Sequence, residues 1–497
     1  MDDREKSDGL VVPEKLSNNA QGGAAETVEG SGPAKGNTAS ETRPGRRAGQ
    51  GASSALDRVR QVALKDKEAR FTALLHHVDV DRLRAAYWAL KPKAAPGVDG
   101  VTWADYGSDL EGNLQDLYSR VHRGAYRARP SRRVFIPKPD GRLRPLGVAS
   151  LEDKILQRAL VEVLNAIYEQ DFVGFSYGFR PGRSPHHALD ALAAGIVGKK
   201  VNWVLDADFS DYFSSLDHQW LERFLEHRIA DQRVLRLIQK WMAAGVIEKG
   251  SWTAFEEGVP QGASVSPLLA NVYAHYVLDL WAHQWRTRHA RGDMIIVRWA
   301  DDFVVGFEHR EDAERFWADL RDRLAKFSLE LNADKTRLIE FGRYATRDRK
   351  ARGLGKPETF RFLGLTHVCA KTRKSGRFKL KRITDSKRVR AKLLAVKDEM
   401  ARRRHLPIPE QGRWLARVLQ GHFNYYAVPD NIEALSAFRR EIIRHWLKTL
   451  RRRSQRSRMT WQRMGRLADR WLPKPRILHP WPEQRFAAIT QGRSPVR

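Results

Sequence analysis

Asp301 and Asp302 stand side by side between two short apolar runs, Met-Ile-Ile-Val-Arg-Trp-Ala before them (294–300) and Phe-Val-Val-Gly-Phe after (303–307). Both flanks are rich in β-branched and aromatic residues, which predicts a hairpin with the acidic pair at its tip. Adjacent like charges repel, and a tight hairpin turn ordinarily favours Asn-Gly or Asp-Gly. Hard carboxylate oxygens around a divalent cation such as Mg²⁺ would resolve the conflict; a solvated polar turn is the plainer alternative. Far upstream, a second apolar strand, Val-Asn-Trp-Val-Leu-Asp-Ala-Asp-Phe (201–209), also ends in carboxylates, Asp206 and Asp208. Two strands of one sheet, each ending in Asp, can gather three carboxylates around a pair of metal ions. Such a pair activates an attacking hydroxyl and stabilises the leaving oxygen in phosphoryl transfer. The glycine-rich alternative for phosphate chemistry, G-x-x-x-x-G-K-[ST], is absent from the sequence.

The surrounding pattern predicts the elements that must position these groups. Leu56, Val59, Val62 and Ala63, then Leu74, Leu75, Leu83, Ala86, Tyr87 and Leu90, recur at helical spacing. Residues 133–136 predict a strand and Pro139-Asp140-Gly141 its turn. An amphipathic helix is expected over 153–168. The loop at 175–184 alternates aromatics with Gly and Arg, suited to base stacking and phosphate contact or to plugging a core. A glycine-rich loop from Gly258 runs into a helix, with Ser266 as N-cap and Pro267 at the first helical position. From residue 381 the pattern is helical and basic, with 438–450 carrying an apolar stripe.

At 497 residues the chain is too long for one core, and two or three domains are expected. The net charge of +30 is unevenly spread: residues 371–497 hold 34 Lys and Arg against 9 Asp and Glu, the other 370 residues 55 against 50. A quarter of the chain thus carries most of the positive field, the footprint of a polyanionic partner. An acidic membrane surface would attract the same charge, but no apolar run approaches the roughly 18 residues of a span. Nucleic acid is the better reading. The single cysteine, Cys369, excludes a disulfide framework and a Cys-based zinc site. Residues 1–55, rich in Gly, Ala, Ser, Thr and Asn, predict disorder. Eight acidic residues before position 42, and no hydrophobic signal core, argue against a targeting segment.

Several of these stretches resemble, in order along the chain, the motifs of reverse transcriptases of the group II intron subclass. Trp299-Ala300-Asp301-Asp302 resembles their YADD box, with Trp replacing Tyr. The stretch 206–213 resembles their first palm motif, whose metal-binding aspartate falls on Asp208. Residues 258–271 are similar to the PQG motif, 133–146 to the fingers motif, and 96–101 to the extension that precedes the fingers. The resemblance covers roughly residues 56–485. It implies an α+β chain with a right-hand polymerase fold, fingers and palm, followed by an α-helical thumb and maturase (X) domain. The implied division is a disordered tail at 1–55, an N-terminal extension at 56–130, fingers and palm at 131–370, and the basic thumb and maturase domain at 371–497.

The same resemblance implies an RNA-directed DNA polymerase that joins a primer 3′-hydroxyl to the α-phosphate of a dNTP with two Mg²⁺ ions. Asp208 and Asp301 are then ion ligands, Phe209 adds its backbone carbonyl, and Asp302 is a secondary ligand or support. Lys138 and Arg144 match positions that clamp the triphosphate, Arg suiting bidentate phosphate contact. Phe213 matches an aromatic that collides with a ribose 2′-hydroxyl, Gln261 touches nucleotide or template, and Lys335 is a phosphate neighbour. Burial in the core for Phe213, and ordinary surface charge for Lys138 and Arg144, are the plain alternatives. The implied partners are group II intron RNA, bound to assist splicing and mobility, an RNA template with a DNA primer, and target DNA. No membrane is implied; the setting is a ribonucleoprotein in the bacterial cytoplasm. Without paired cysteines after the basic domain, the DNA endonuclease domain that ends many such proteins is expected to be absent. Two rivals are a retron-like or defence-associated reverse transcriptase, and a maturase that folds RNA without catalysis. The extension at 96–101 and the block at 421–429 weigh against the first, and the three carboxylates against the second.

Overall fold

A computed structural model describes residues 49–137, 143–254, 257–454 and 459–485. Helices Gly49–Lys65 and Val80–Ala89 pack on the long helix Leu151–Asp171. Leu56, Val59, Ala63, Leu83, Ala86 and Tyr87 are buried there, while Val62, part of the expected stripe, faces solvent. Asp79 caps the second helix by accepting from the Arg82 N–H, which satisfies one of its orphan donors.

Strands β1 (Ser131–Pro137) and β2 (Leu143–Val148) pair antiparallel, with Ile136 opposite Arg144. The turn expected at 139–141 lies outside the described residues. β3 (Trp203–Asp208) follows helix Pro185–Gly198. β4 (Val246–Glu248) and β5 (Ser251–Thr253) extend the first pair into a sheet ordered β2-β1-β4-β5. β6 (Met294–Trp299) and β7 (Asp302–Phe307) form the expected hairpin, and with β8 (Arg337–Glu340) complete an antiparallel sheet ordered β6-β7-β3-β8.

That second sheet is covered on both faces, which is why its strands read as apolar runs rather than as polar-apolar alternation. Successive side chains point to opposite faces of a strand. Leu205, Ala207, Ile296 and Val305 therefore enter one core with Phe316 and Leu320 of helix Arg310–Ala325. Val204, Ile295, Val297 and Val304 enter the other with Leu189 and Leu192 of helix Pro185–Gly198.

A third sheet, β11-β10-β9, is built from β9 (Phe360–Phe362), β10 (Leu365–Lys371) and β11 (Phe378–Thr384). Leu363 and Gly364, both at positive φ, make the tight turn from β9 to β10. The hairpin β10–β11 runs across residue 371, and the helical basic part begins at Ser386 rather than 381 because 378–384 pairs with β10.

Helices Ser386–Arg402, Ile408–Tyr426, Ile432–Arg451 and Trp461–Trp471 enclose a separate core that includes Leu415, Leu419, Phe438, Ile442 and Trp446. Trp446 is fully buried, its indole donating to Gln411 Oε1 at 2.8 Å. The Tyr425 hydroxyl donates to the Leu363 carbonyl at 2.8 Å. These two aromatics are structural, whereas Trp461 stays 55% exposed. Among the described residues no helix is long and apolar enough to cross a membrane.

Candidate active site

The sheet register sets Asp208 directly opposite Asp302, across β3 and β7, and directly opposed residues share a face. Trp299 pairs with Asp302 on the hairpin side, which leaves Ala300 and Asp301 as a two-residue loop. The tip is thus Ala300-Asp301, and Asp302 is already the first residue of β7, one residue on from the expected Asp-Asp tip. Ala300 takes φ 56°, a left-handed conformation that a residue with a Cβ adopts only at a cost. The Phe209 N–H donates to the Asp301 carbonyl at 3.3 Å, so the tip is stitched to the end of β3.

The carboxylates act on one another. Burial, then the charge of Asp208, pushes the Asp301 carboxyl above the usual carboxylate range. Burial, then the charges of Asp206, Asp208 and Asp301, does the same to Asp302. Asp206 is pushed up to about 6, burial outweighing its ion pair with Arg337. The Lys335 ammonium contacts Asp208 Oδ2. Burial pulls its pKa down, but that bond and the charges of Asp208, Asp301 and Asp302 hold it above the ordinary lysine value. Among the described residues no three His, Cys, Asp or Glu side chains converge into a ready ion cage; the cation in the cluster is Lys335. Oxygen donors that raise one another's pKa gain from a hard divalent cation in their midst, so the donor set fits one.

A second group of predicted residues meets beside this cluster. Phe213 lies in the 3₁₀ turn Tyr212–Ser214, 8% exposed, with its ring edge-on to Phe179 at 6.3 Å. The Val259 N–H donates to the Phe213 carbonyl at 2.7 Å. Gln261 bridges elements: its carbonyl accepts from the Gly147 N–H at 2.6 Å, Oε1 from Arg144 Nε at 3.1 Å, and Nε2 donates to Ser214 Oγ at 3.4 Å. Lys138 lies outside the described residues. Ser266 is not the N-cap; it is the first residue of helix Ser266–Ala274, and its Oγ donates to the Pro260 carbonyl at 2.8 Å. A Cβ on Gly258, at φ 82°, would meet the Phe213 carbonyl oxygen at 2.7 Å. We therefore expect Gly258→Ala to displace the turn and lower the melting temperature, for about 1–3 kcal/mol of strain. An unchanged melting temperature would show that the turn yields to the added Cβ without strain.

In the loop at 175–184, Phe175 and Tyr177 are buried, and Arg180 pairs with Glu169. This loop plugs the core; Phe179 is its exposed aromatic. Sequence reasoning passed over Arg298, whose signal was a charge inside the otherwise apolar β6.

Compared with known proteins, the chain matches the family model of reverse transcriptase (RNA-dependent DNA polymerase) over residues 136–367. That stretch contains every site residue named above. The chain is 36% identical over 287 residues to Protein YkfC of Escherichia coli (strain K12), covering 51% of this chain and 75% of that relative. It is 31% identical over 231 residues to the group II intron-encoded protein LtrA of Lactococcus lactis subsp. cremoris, covering 45% of this chain and 38% of the relative. An uncharacterized 91 kDa protein in the cob intron of Schizosaccharomyces pombe is 42% identical over 189 residues, 37% of this chain and 23% of the relative. The chain thus spans three quarters of the first relative and less than two fifths of the other two.

Proposed function

Because the chain belongs to the reverse transcriptases of the group II intron-encoded kind and is an RNA-directed DNA polymerase, we propose that Asp208, Asp301 and Asp302 form its catalytic centre. It copies intron RNA into DNA, and it binds that RNA to assist splicing and mobility. The register that puts Asp302 opposite Asp208, with Asp301 at the adjoining tip, is the observation that carries this reading. Fingers and palm are assigned to 131–370, thumb and maturase domain to 371–497, and the extension ahead of them to 56–130. The likeness to an intron-encoded relative from Lactococcus supports a place in a bacterial cytoplasmic ribonucleoprotein.

Polymerases of this family use divalent metal ions; Mg²⁺ is the ion assigned here, held by Asp208 and Asp301 with Asp302 in support. Bound there, two ions supply activation of the primer 3′-hydroxyl and neutralise charge on the leaving oxygen. A backbone N–H and C=O of one extended residue point to the same side. The bond from the Phe209 N–H to Asp301 therefore favours a Phe209 carbonyl directed at the same cluster. Lys335 neutralises Asp208 before the ion does and is then placed to meet substrate phosphate. Arg144, exposed and held by Gln261, is placed to turn its planar fork onto the triphosphate, with Lys138 as its partner. Extension of a DNA primer annealed to RNA by the purified chain tests the reading; no product in Mg²⁺ would overturn it.

Phe213 is assigned the exclusion of ribonucleotides, because a buried ring beside the nucleotide leaves no volume for a 2′-hydroxyl. Phe213→Ala should raise ribonucleotide incorporation relative to deoxyribonucleotide by about tenfold, the scale on which a pocket's shape discriminates one small group. Unchanged discrimination would mean that Phe213 is a core residue.

A further inference from the structure

Arg298 is the one charged residue in β6, and it is fully buried. A guanidinium has five donor hydrogens, and all five are used. Nε and Nη2 grip the two carboxylate oxygens of Asp279 at 2.7 and 2.6 Å. Nη2 also donates to Ser176 Oγ at 2.7 Å. Nη1 donates to Asn271 Oδ1 at 3.1 Å and to the Ala300 carbonyl at 3.0 Å. Asn271 passes the chain on, its Nδ2 donating to the Gly178 carbonyl at 2.7 Å. The backbone of Arg298 bonds the same loop, its N–H to Phe175 and its carbonyl to the Tyr177 N–H, both at 2.9 Å.

Two features set this network apart from ordinary core. Asp279 closes a π-helical stretch, His275–Asp279, between helices Ser266–Ala274 and Leu280–Arg288. Such wide turns are uncommon and concentrate at functional sites. A buried ion pair also contributes little net stability, because desolvation offsets its attraction. What the network touches is the hairpin tip. Ala300 is left-handed, its carbonyl is held by Arg298, and its nitrogen is so close to Gly178 that a Cβ there would sit 2.4 Å away. The two peptides that flank the Ala300 Cα are thereby fixed, the one before it against Gly178 and the one after it, leading to Asp301, by Arg298.

We infer that Arg298 and Asn271 are positioning residues for Asp301: their network locks the strained Ala300–Asp301 peptide and so sets the Asp301 carboxylate relative to Asp208. This rests on the reading of Asp301 as an ion ligand. Neither residue touches substrate; each acts through the tip.

The test compares Asn271→Ala, Ser176→Ala and Arg298→Lys in the full chain, with Asp301→Ala as reference. Three quantities are measured: turnover across an Mg²⁺ series, Mn²⁺ binding to the free protein by electron paramagnetic resonance, and thermal unfolding. Displacing a reacting group by about 1 Å can lower turnover about a hundredfold. Asn271→Ala and Arg298→Lys should therefore lower turnover by roughly ten- to a hundredfold on that basis. Both should also weaken Mn²⁺ binding and raise the Mg²⁺ concentration for half-maximal extension, with the KM for dNTP unchanged. Wild-type Mn²⁺ binding and Mg²⁺ dependence together with a lowered melting temperature would overturn the inference, leaving the network as core. If Arg298→Lys does not fold, Asn271→Ala and Ser176→Ala decide, since each keeps the Arg298–Asp279 pair. Full extension by Asp301→Ala would overturn the catalytic reading itself. An inactive Asp301→Ala beside an Asn271→Ala with wild-type ion response would overturn this inference alone.

Discussion

Asp301→Ala should abolish Mg²⁺-dependent extension of a DNA primer on an RNA template, lowering the rate by at least about a thousandfold. A bound ion contributes several kcal/mol to stabilising transition-state charge, and each 1.4 kcal/mol or so is about tenfold in rate. The variant loses more than one oxygen donor. Asp301 helps hold the Lys335 ammonium above its ordinary pKa, so its removal also shifts the charge balance around Asp208. Its backbone carbonyl, which accepts from the Phe209 N–H, survives the substitution, so the stitching of tip to β3 should persist and the melting temperature should move little. Single-turnover extension beside a thermal melt checks both halves. A folded variant that extends primers at a near-normal rate would remove Asp301 from the chemistry.

The hairpin and the acidic strand were legible because their neighbours are apolar on both faces. Val204 and Leu205 feed different cores, as do Ile295 and Ile296, so burial writes itself into the sequence as an unbroken run ending in Asp. The tip was one residue out because nothing local marks Ala300 as left-handed. Its conformation is imposed by Arg298 and Gly178, and strain of this kind persists only where surrounding structure over-determines it. The meeting of Arg144, Gln261 and Ser214 had no local signal at all; the family resemblance gave Arg144 and Gln261 separate roles and left Ser214 unmarked. One other miss was readable. Phe378-Lys379-Leu380-Lys381 alternates in the period of a strand, before Arg382 and Ile383 break the phase. Trp446 lies four residues after Ile442 and four before Leu450, the spacing of a buried helical stripe, and it lies in that core. Density of charge is a guide to the partner of a domain, but it does not say which side chains face that partner.

The other large effect concerns RNA affinity. The arginine run 451–453 is the obvious target from sequence, yet two of its members are tied to backbone. Arg451 Nε donates to the Met459 carbonyl at 2.9 Å, and Arg453 Nη2 to the His405 carbonyl at 3.0 Å. Removing them would loosen the joint after helix Ile432–Arg451, and weaker binding could then be a folding defect. Arg452, Arg466 and Arg470 are exposed, the last two on helix Trp461–Trp471 with the exposed Trp461 at its start and the Arg470 guanidinium over the Trp471 ring. Replacing these three with Gln keeps most of each apolar stem and removes the charge. If all three contact phosphate, the log-log salt dependence of binding to a group II intron RNA should flatten by about 2–3 units, roughly 0.7–0.9 for each contact. Affinity at near-physiological salt should fall on the order of 10- to 100-fold by the same counterion release. Extension of a short generic primer–template should survive, because Asp208, Asp301 and Asp302 and the sheet that carries them are untouched. Filter binding across a salt series, run beside primer extension, separates the outcomes. Weaker binding with an unchanged slope would assign the loss to local structure rather than phosphate contact. Unchanged affinity and slope would move the RNA surface off this helix altogether, to the other basic faces between Ser386 and Arg451.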